Sequence, residues 1–378
     1  MPSKTLGILG GGQLGLMMII EGRKLGVRFY VHDEHEDAPA LRVADKAFVG
    51  NHWQELVSSS DVVTFEFEHV SPKALAMAHE LGKLRPNLTS VLVKQSKIRE
   101  REFLREVGLP TPRFAVVNSR SELESAMERF GKCVVKVPYG AYDGKGQYYT
   151  SNPKELSEVP NQYPLLVDEF VRFSKEISVV LARSASGEVR FYPVIENYNH
   201  EGILIYSIAP AQVPDEVETK ALRLAKQLAE ALNYVGVLAV EFFVTRGGDV
   251  LINEFAPRVH NTGHWTLLGS ITSQFENHVR AILDYPLGDT ELLRPSAIVN
   301  ILGKPWNEDM ANRILSIPGT KIWWYNKAEV RPRRKMGHVN IIANSIGEVR
   351  RRVFDVMNII YGEEAEKILK SPWPKPDM

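Results

Sequence analysis

The chain has 378 residues, 44% hydrophobic and 24% charged, with 46 basic and 46 acidic side chains. This balance excludes a disordered polyelectrolyte and gives no electrostatic footing for nucleic acid or an anionic membrane as main partner; the length predicts two or three domains. The single cysteine, Cys133, excludes an intramolecular disulfide and a cysteine-rich metal site, and within "KCVVKV" it reads as a small buried apolar side chain.

"KTLGILG" predicts a buried strand and "QLGLMMIIEGRKLG" the helix after it, with Leu14, Met17, Met18 and Leu25 near a helical period. No signal peptide is expected, because Gly10, Gly11 and Gly12 break the apolar stretch. "LGLMMII" falls short of the about 20 apolar residues that cross a bilayer, so the expected location is the cytoplasm. "VRFYVHDE" and "SDVVTFEFEH" predict further strands, and strands alternating with helices predict a parallel, doubly wound sheet. "SKIREREFLREVG" predicts a helix ended by Gly108. Then come a strand, glycine-rich loop and strand in "KCVVKVPYGAYDGKGQYYT", a helix in "DEVETKALRLAKQLAEALN", and a hairpin of "GVLAVEFFVTR" with "GDVLINEFAPR". After Pro295, "SAIVNILG", "TKIWWYNK" and "GHVNIIA" are short strand candidates, with a closing helix near "EEAEKIL". The expected domains are 1–93, 94–294 with a small lobe at about 112–171, and 295–378.

Five stretches carry chemistry. Gly10-x-Gly12-x-x-Gly15 is spaced to turn the backbone and bring N–H groups onto a phosphate at a helix start. With Asp33 or Glu34 placed for a ribose hydroxyl, the turn alone favours NAD or FAD; the plain alternative is a glycine-rich turn with no ligand. "YGAYDGKGQ", with Lys136 before it and Lys145 inside it, can close over a polyphosphate, or it is simply a turn. Glu241 and Glu254 sit among apolar residues on adjacent strands, where an isolated carboxylate is costly. A shared Mg²⁺, with Asn253 adding a neutral oxygen, removes that cost. Arg258, His260, Asn261 and His264 crowd "PRVHNTGHWT" and suit an anionic substrate better than zinc, for which no third soft ligand is evident. Arg331, Arg333, Arg334 and Lys335 form a basic cluster that either clamps a phosphate or carboxylate or is a solvated charge run.

In this order, "GILGGGQLG", "EFEHV", "YDGKGQ", "NEFAPRVHNTGHWT" and "RPRRKMGHVN" resemble the ATP-grasp superfamily and, within it, the N5-carboxyaminoimidazole ribonucleotide synthetase family. The resemblance runs through essentially the whole chain. It implies an α/β and α+β ATP-grasp fold, with a Rossmann-like N-terminal domain and a small β-rich C-terminal domain. It implies a ligase that uses ATP, Mg²⁺ and bicarbonate to carboxylate the amine of 5-aminoimidazole ribonucleotide through carboxyphosphate, in purine biosynthesis. A homodimer is also implied. The alternative is another ATP-grasp carboxylate–amine ligase, such as a formate-dependent ribonucleotide formyltransferase; an NAD-dependent oxidoreductase leaves "YDGKGQ" and the two glutamates unexplained.

Carried over position by position, the resemblance implies that Gly12, Gln13 and Leu14 receive the ribonucleotide phosphate, that Glu68 faces the ribonucleotide, and that Arg334 and Lys335 close on it. Lys97, where arginine is usual, contacts ATP, Lys136 its phosphates, and Tyr142, Asp143, Gly144, Lys145, Gly146 and Gln147 cover them. Asp168, Glu169, Phe170 and Val171 form the hinge at adenine, Glu176 holds the ribose hydroxyls, and Asn199 joins them where histidine is common, with His200 beside it. Asn253 and Glu254 complete the ATP site, and Glu241 and Glu254 bind Mg²⁺. The catalytic set is Arg258, His260, Asn261, Tyr142 and Lys335, with His260 the best candidate for a general base. Ala141 stands where glycine is frequent, and His69, where asparagine is frequent, receives no role.

Overall fold

The computed structural model describes residues 4–140, 146–151 and 159–370, so the calls on Ala141, Tyr142, Asp143, Gly144 and Lys145 lie outside the described residues. The expected parallel opening is present. Strands Lys46–Val49, Arg28–Asp33, Thr5–Leu9 and Val62–Phe65 form a parallel sheet in that order. Thr5–Leu9 is buried throughout, as a central parallel strand must be. Helix Gln13–Gly22 follows and buries Leu14, Met17 and Met18.

Helix Lys97–Glu106 begins at Ser96, whose hydroxyl accepts from the Arg99 N–H at 3.4 Å. Its buried face carries Glu100 and Arg101 beside Ile98 and Leu104. A small antiparallel sheet follows in the order Phe114–Val117, Leu165–Glu169, Cys133–Lys136, Gln147–Thr150. Cys133 is fully buried there, and burial pushes its thiol up to about 11, as expected of a structural cysteine.

The largest sheet is antiparallel and runs Val250–Ala256, Gly236–Thr245, Phe173–Arg183, Ile195–His200, Ile203–Ala209, Ser296–Leu302, Lys335–Ile342, Thr320–Trp324. The strands after Pro295 therefore extend the same sheet, joined through Ser296–Leu302 against Ile203–Ala209. Although several strands separate them in the sheet, Lys335 at the start of Lys335–Ile342 lines a cleft together with Glu241 and Glu254 of the hairpin. Helix Gln274–Ile282 ties the N-terminal sheet to the large one: fully buried His278 accepts from the Val237 N–H at Nδ1 (3.0 Å) and donates from Nε2 to Thr64 Oγ1 (3.0 Å). One apolar core, including Leu6, Phe29, Val180, Trp265 and Ile282, spans both sheets.

Candidate active site

The first glycine turn is built around acids. Gly10 has φ +92°, which a glycine adopts without strain. The Gly11 N–H donates to Asp33 Oδ2 at 2.7 Å, and Asp33 Oδ1 accepts from the His35 N–H at 2.9 Å. Asp33 thus closes the turn and is not offered to a ribose, which removes the dinucleotide reading. At the helix start, Glu66 Oε2 accepts from the N–H groups of Leu14 (3.0 Å) and Gly15 (3.1 Å). A Cβ on Gly12 would lie 2.2 Å from Glu66 Oε1, so glycine is required for the carboxylate to enter. Burial raises the Glu66 carboxyl above the usual carboxylate range despite the helix amides. Gln13 and Leu14 line the cleft as expected, but the donors expected to hold a phosphate already hold Glu66. It is the first acid of "EFEH", Glu66, that occupies the helix start, whereas the sequence expectation rests on the second, Glu68.

Beyond this turn opens a cleft of about 500 Å³. One wall holds Glu68, which is buried and accepts from Arg258 Nε at 2.6 Å. Burial works against its ionisation, yet Arg258 and Lys94 carry it down to about 2. The Arg258 guanidinium lies 5.4 Å from the centre of the Phe67 ring. The facing wall is the basic stretch, including Arg331, Arg333, Arg334 and Lys335. Arg333 sits at φ +66° and is anchored by Glu201 Oε2 at 3.0 Å, while Arg334 donates to the Glu329 carbonyl at 2.8 Å. The stretch is a loop pinned at Arg333 and Arg334 along the cleft, with Arg331 and Arg333 still exposed to solvent.

A second cleft, about 150 Å³, lies between the small sheet and the large one. Lys136, Gln147, Glu169, Phe170, Val171, Glu176, Asn199 and Asn253 line it, so the structure brings these residues of the expected nucleotide set together. Asp168 requires a correction. Its carboxylate is buried and accepts from Arg101 Nε and Nη2 at 2.9 Å each and from Lys136 Nζ at 2.7 Å. Burial opposes its charge, but the two cations hold it well below the usual range. Asp168 lines this cleft too, but its carboxylate serves as an internal counterion that aims Lys136. Glu169 pairs with Arg113 at 2.6 Å near the surface. Burial pushes Glu176 up to about 7, opposed by Asn199 Nδ2, which donates to it at 2.7 Å. That contact gives Asn199 a defined place, and a strand irregularity between Tyr198 and Asn199 turns it there.

The two clefts share Lys97, Glu241, Glu254, His260, Asn261 and Lys335. Glu241 and Glu254 are direct cross-strand partners, and the pairing then skips to Phe242 with Ile252. Asn253 is the extra residue of this bulge, which lets Asn253 and Glu254 both line the nucleotide cleft although strand alternation would separate them. Glu254 accepts from Lys94 at 2.9 Å and from Lys97 at closer range. Lys94 also meets Glu100 at 3.1 Å, and Glu100 accepts from the Phe255 N–H at 2.9 Å. Lys94, Glu100 and Arg101 carry no expectation from the sequence; Glu100 and Arg101 fall on the buried face of the charged helix Lys97–Glu106, and Lys94 closes the apolar helix before it. Burial raises Glu241 to about 8, with the charges of Glu254 and Glu176 adding to it, whereas Lys94 and Lys97 hold Glu254 low against its burial. Glu241, raised by the charges of Glu254 and Glu176, faces ionised Glu254 across the hairpin, and this pair of hard oxygen donors fits a divalent cation completed by phosphate oxygens.

His260 Nδ1 accepts from Thr262 N–H and lies 3.1 Å from Thr262 Oγ1, so Nε2 carries the proton and points 3.4 Å from Glu241 Oε1. Burial first, then Arg258 and Lys335, lower His260 to about 3. This corrects the general-base expectation: a neutral imidazole so reluctant to accept a proton is a hydrogen-bond donor here. The Asn261 amide exchanges hydrogen bonds with Asn300 at 3.1 and 2.6 Å while still lining both clefts.

Comparison with known proteins agrees with this geometry. Residues 3–95 match the ribonucleotide synthetase preATP-grasp domain, 102–275 the ATP-grasp domain, and 296–352 the phosphoribosylaminoimidazole carboxylase C-terminal domain. The chain is 47% identical to the N5-carboxyaminoimidazole ribonucleotide synthase of Aquifex aeolicus, over 95% of this chain and 97% of that protein. It is 46% identical to the enzyme of that name from Saccharolobus solfataricus, over 94% and 96%. Among solved structures, the N5-carboxyaminoimidazole synthase of Aspergillus clavatus in complex with ADP and 5-aminoimidazole ribonucleotide superposes with a TM-score of 0.88 at 30% identity, covering 95% of this chain and 99% of that one. Two clefts joined at a glutamate pair, on an ATP-grasp sheet extended by a third matched segment, place this chain in the N5-carboxyaminoimidazole ribonucleotide synthase family.

Proposed function

We infer that this chain is an ATP-dependent ligase that carboxylates the amine of 5-aminoimidazole ribonucleotide with bicarbonate, giving ADP and phosphate. One observation carries the reading: the two clefts meet at Lys97, Glu241, Glu254, His260, Asn261 and Lys335. An activated carboxyl group made on one side then lies within reach of an amine on the other, without release to water.

In this reading, Phe170 and Val171 contact adenine, Glu176 with Asn199 takes the ribose hydroxyls, and Lys136, aimed by Asp168, faces the phosphates. Glu241, Glu254 and Asn253 hold Mg²⁺, which when bound neutralises charge on the transferring phosphoryl group. Arg258 orients bicarbonate, and the His260 Nε2–H donates to the oxygen that gains charge. Arg258 is itself fixed by Glu68 and Phe67, so bicarbonate meets a preset guanidinium. The ribonucleotide phosphate is taken by Arg334 and Lys335, with Gln13 and Leu14 at its edge. Among the described residues no helix is long and apolar enough to cross a membrane, which supports a cytoplasmic enzyme. A homodimer is proposed as well, and a monomer mass by light scattering would refute it.

The test is ADP release with Mg-ATP and bicarbonate, with and without 5-aminoimidazole ribonucleotide. Strong stimulation with stoichiometric loss of the ribonucleotide amine is expected. Equal ADP release in both reactions would overturn the substrate assignment.

A further inference from the structure

The loop carrying Arg258, His260 and Asn261 is held by side chains that line neither cleft. Gln274 is fully buried. Its Oε1 accepts from the His260 N–H at 3.0 Å, and its Nε2 donates to the His260 carbonyl at 2.6 Å and to His264 Nδ1 at 3.2 Å. Gly263 makes this approach possible, since a Cβ there would lie 2.6 Å from Gln274 Oε1. From the other side, Asn340 Nδ2 donates to the His264 carbonyl at 2.8 Å. Asn340 Oδ1 must then be the acceptor for His338 Nε2 at 3.0 Å, and His338 Nδ1 the acceptor for the Tyr325 hydroxyl at 2.7 Å. A carbonyl at one end and a phenol at the other give each link one polarity. His264, His338 and Asn340 are at most 1% exposed. Burial lowers both rings well out of the range in which they would charge, so the chain is not broken by protonation near neutrality. The His264 and His338 ring centres are 4.8 Å apart, and Trp323 lies parallel to His338.

His338 and Asn340 belong to the strand Lys335–Ile342, whose first residue faces both clefts. The network therefore runs from the strand that presents Lys335 to the backbone of His260. We propose that Gln274, His338 and Asn340 are positioning residues that lock the 258–264 loop to the Lys335 strand, so that ATP cleavage stays coupled to carboxylation. The inference rests on the carboxylase reading above. When the lock is loosened, the activated carboxyl group forms but meets water before the amine.

The test is the ratio of ADP released to ribonucleotide amine consumed by the full chain, measured together with KM for ATP. Wild type is expected at a ratio near one. His338→Phe keeps an aromatic ring but leaves the Tyr325 hydroxyl and Asn340 Oδ1 unpaired. It is expected to raise the ratio about fivefold with KM for ATP within about twofold. His338→Gln keeps an N–H near the Nε2 position and should return the ratio towards one. A His338→Phe protein with lower activity or melting temperature but a ratio still near one would show a merely structural role and overturn the inference. If that variant does not fold, Tyr325→Phe, which removes one hydroxyl, carries the test: an expected ratio of about two supports the inference and an unchanged ratio overturns it. Wild-type ADP release that ignores the ribonucleotide would overturn the carboxylase reading itself, and this inference with it.

Discussion

Replacing Glu176 by Gln separates what the site needs from what the fold tolerates. Burial raises the Glu176 carboxyl from 4.5 to about 7, with the Glu254 charge adding to it and the Asn199 amide opposing. Below pH 4.5 the group is protonated whether the chain is folded or not, and it adds no pH dependence. Between 4.5 and about 7 the unfolded chain gives up the proton while the folded chain keeps it, so stability falls as pH rises. Above 7 the loss is complete. At about 1.4 kcal/mol for each factor of ten in the ionisation constant, it comes to about 3 kcal/mol, and residual solvent at this partly exposed side chain reduces it to about 2 kcal/mol. Gln is permanently neutral and can still accept from Asn199. The variant is therefore expected to match wild type in urea midpoint at pH 4 and to exceed it at pH 8, by about 2 kcal/mol without nucleotide. The same variant should bind ATP more weakly, because a neutral amide is a poorer acceptor for ribose hydroxyls. A variant no more stable than wild type at pH 8 would refute the claim that Glu176 is kept in a conflicted state for its ligand.

Three further outcomes are expected. Glu254→Gln should lower ATP turnover at least about a hundredfold; Glu254→Ala should do the same and also destabilise the chain by about 3 kcal/mol, because Lys94 and Lys97 are left with Glu100 alone. Wild-type turnover in Glu254→Gln would remove the metal assignment. Arg101→Met should cost about 3–5 kcal/mol in denaturant unfolding, since it strips a bidentate partner from buried Asp168 and a donor from the Asn253 carbonyl; a loss below about 1 kcal/mol would refute the structural role given to that pair. Because burial and the charges of Glu254 and Glu176 hold Glu241 up to about 8, Mg-ATP binding at pH 7 should expel a proton and that release should fade by pH 9. Calorimetry in two buffers of different ionisation heat reads it, and no release at pH 7 would count against Glu241 as a ligand.

The sequence made legible those features that follow from short-range pattern. Continuous apolar runs gave the parallel strands, Ser96 and Gly108 bracketed a helix, and two glutamates among apolar residues marked the hairpin. It could not reveal pairings made across the fold. Asp168 looked like part of a hinge because Arg101, 67 positions away, is invisible as its partner in a linear reading. His260 looked like a base because its ordinary pKa is near neutral, and only the assembled site shows it buried beside Arg258 and Lys335. Asn253 and Glu254 sharing a cleft depends on a bulge whose register is set by the neighbouring strand. Helices Gln274–Ile282 and Ile346–Tyr361 drew no expectation, although the first carries Gln274 and His278, the two side chains that join the loop and the sheets.

The cations around the glutamates explain how these acids share one pocket. Glu254 faces Glu241 and Glu176 within one low-dielectric pocket, yet it stays ionised because Lys94 and Lys97 sit on it. Lys94 is also paired with Glu100 and buried, so it is a fixed countercharge. Lys97 lines both clefts, and its ammonium pairs with Glu254 there. On the proposed reading, Glu254 and Glu241 would hold Mg²⁺ in place of the Lys97 contact, which would leave Lys97 to meet the phosphates. The carboxylate never stands uncompensated on either side of that exchange. If so, Lys97→Met should weaken ATP binding while making Glu254 harder to ionise, and the proton released at pH 7 on Mg-ATP binding should increase. An unchanged release in that variant would mean that Lys94 alone holds Glu254 ionised and that Lys97 serves only the phosphates.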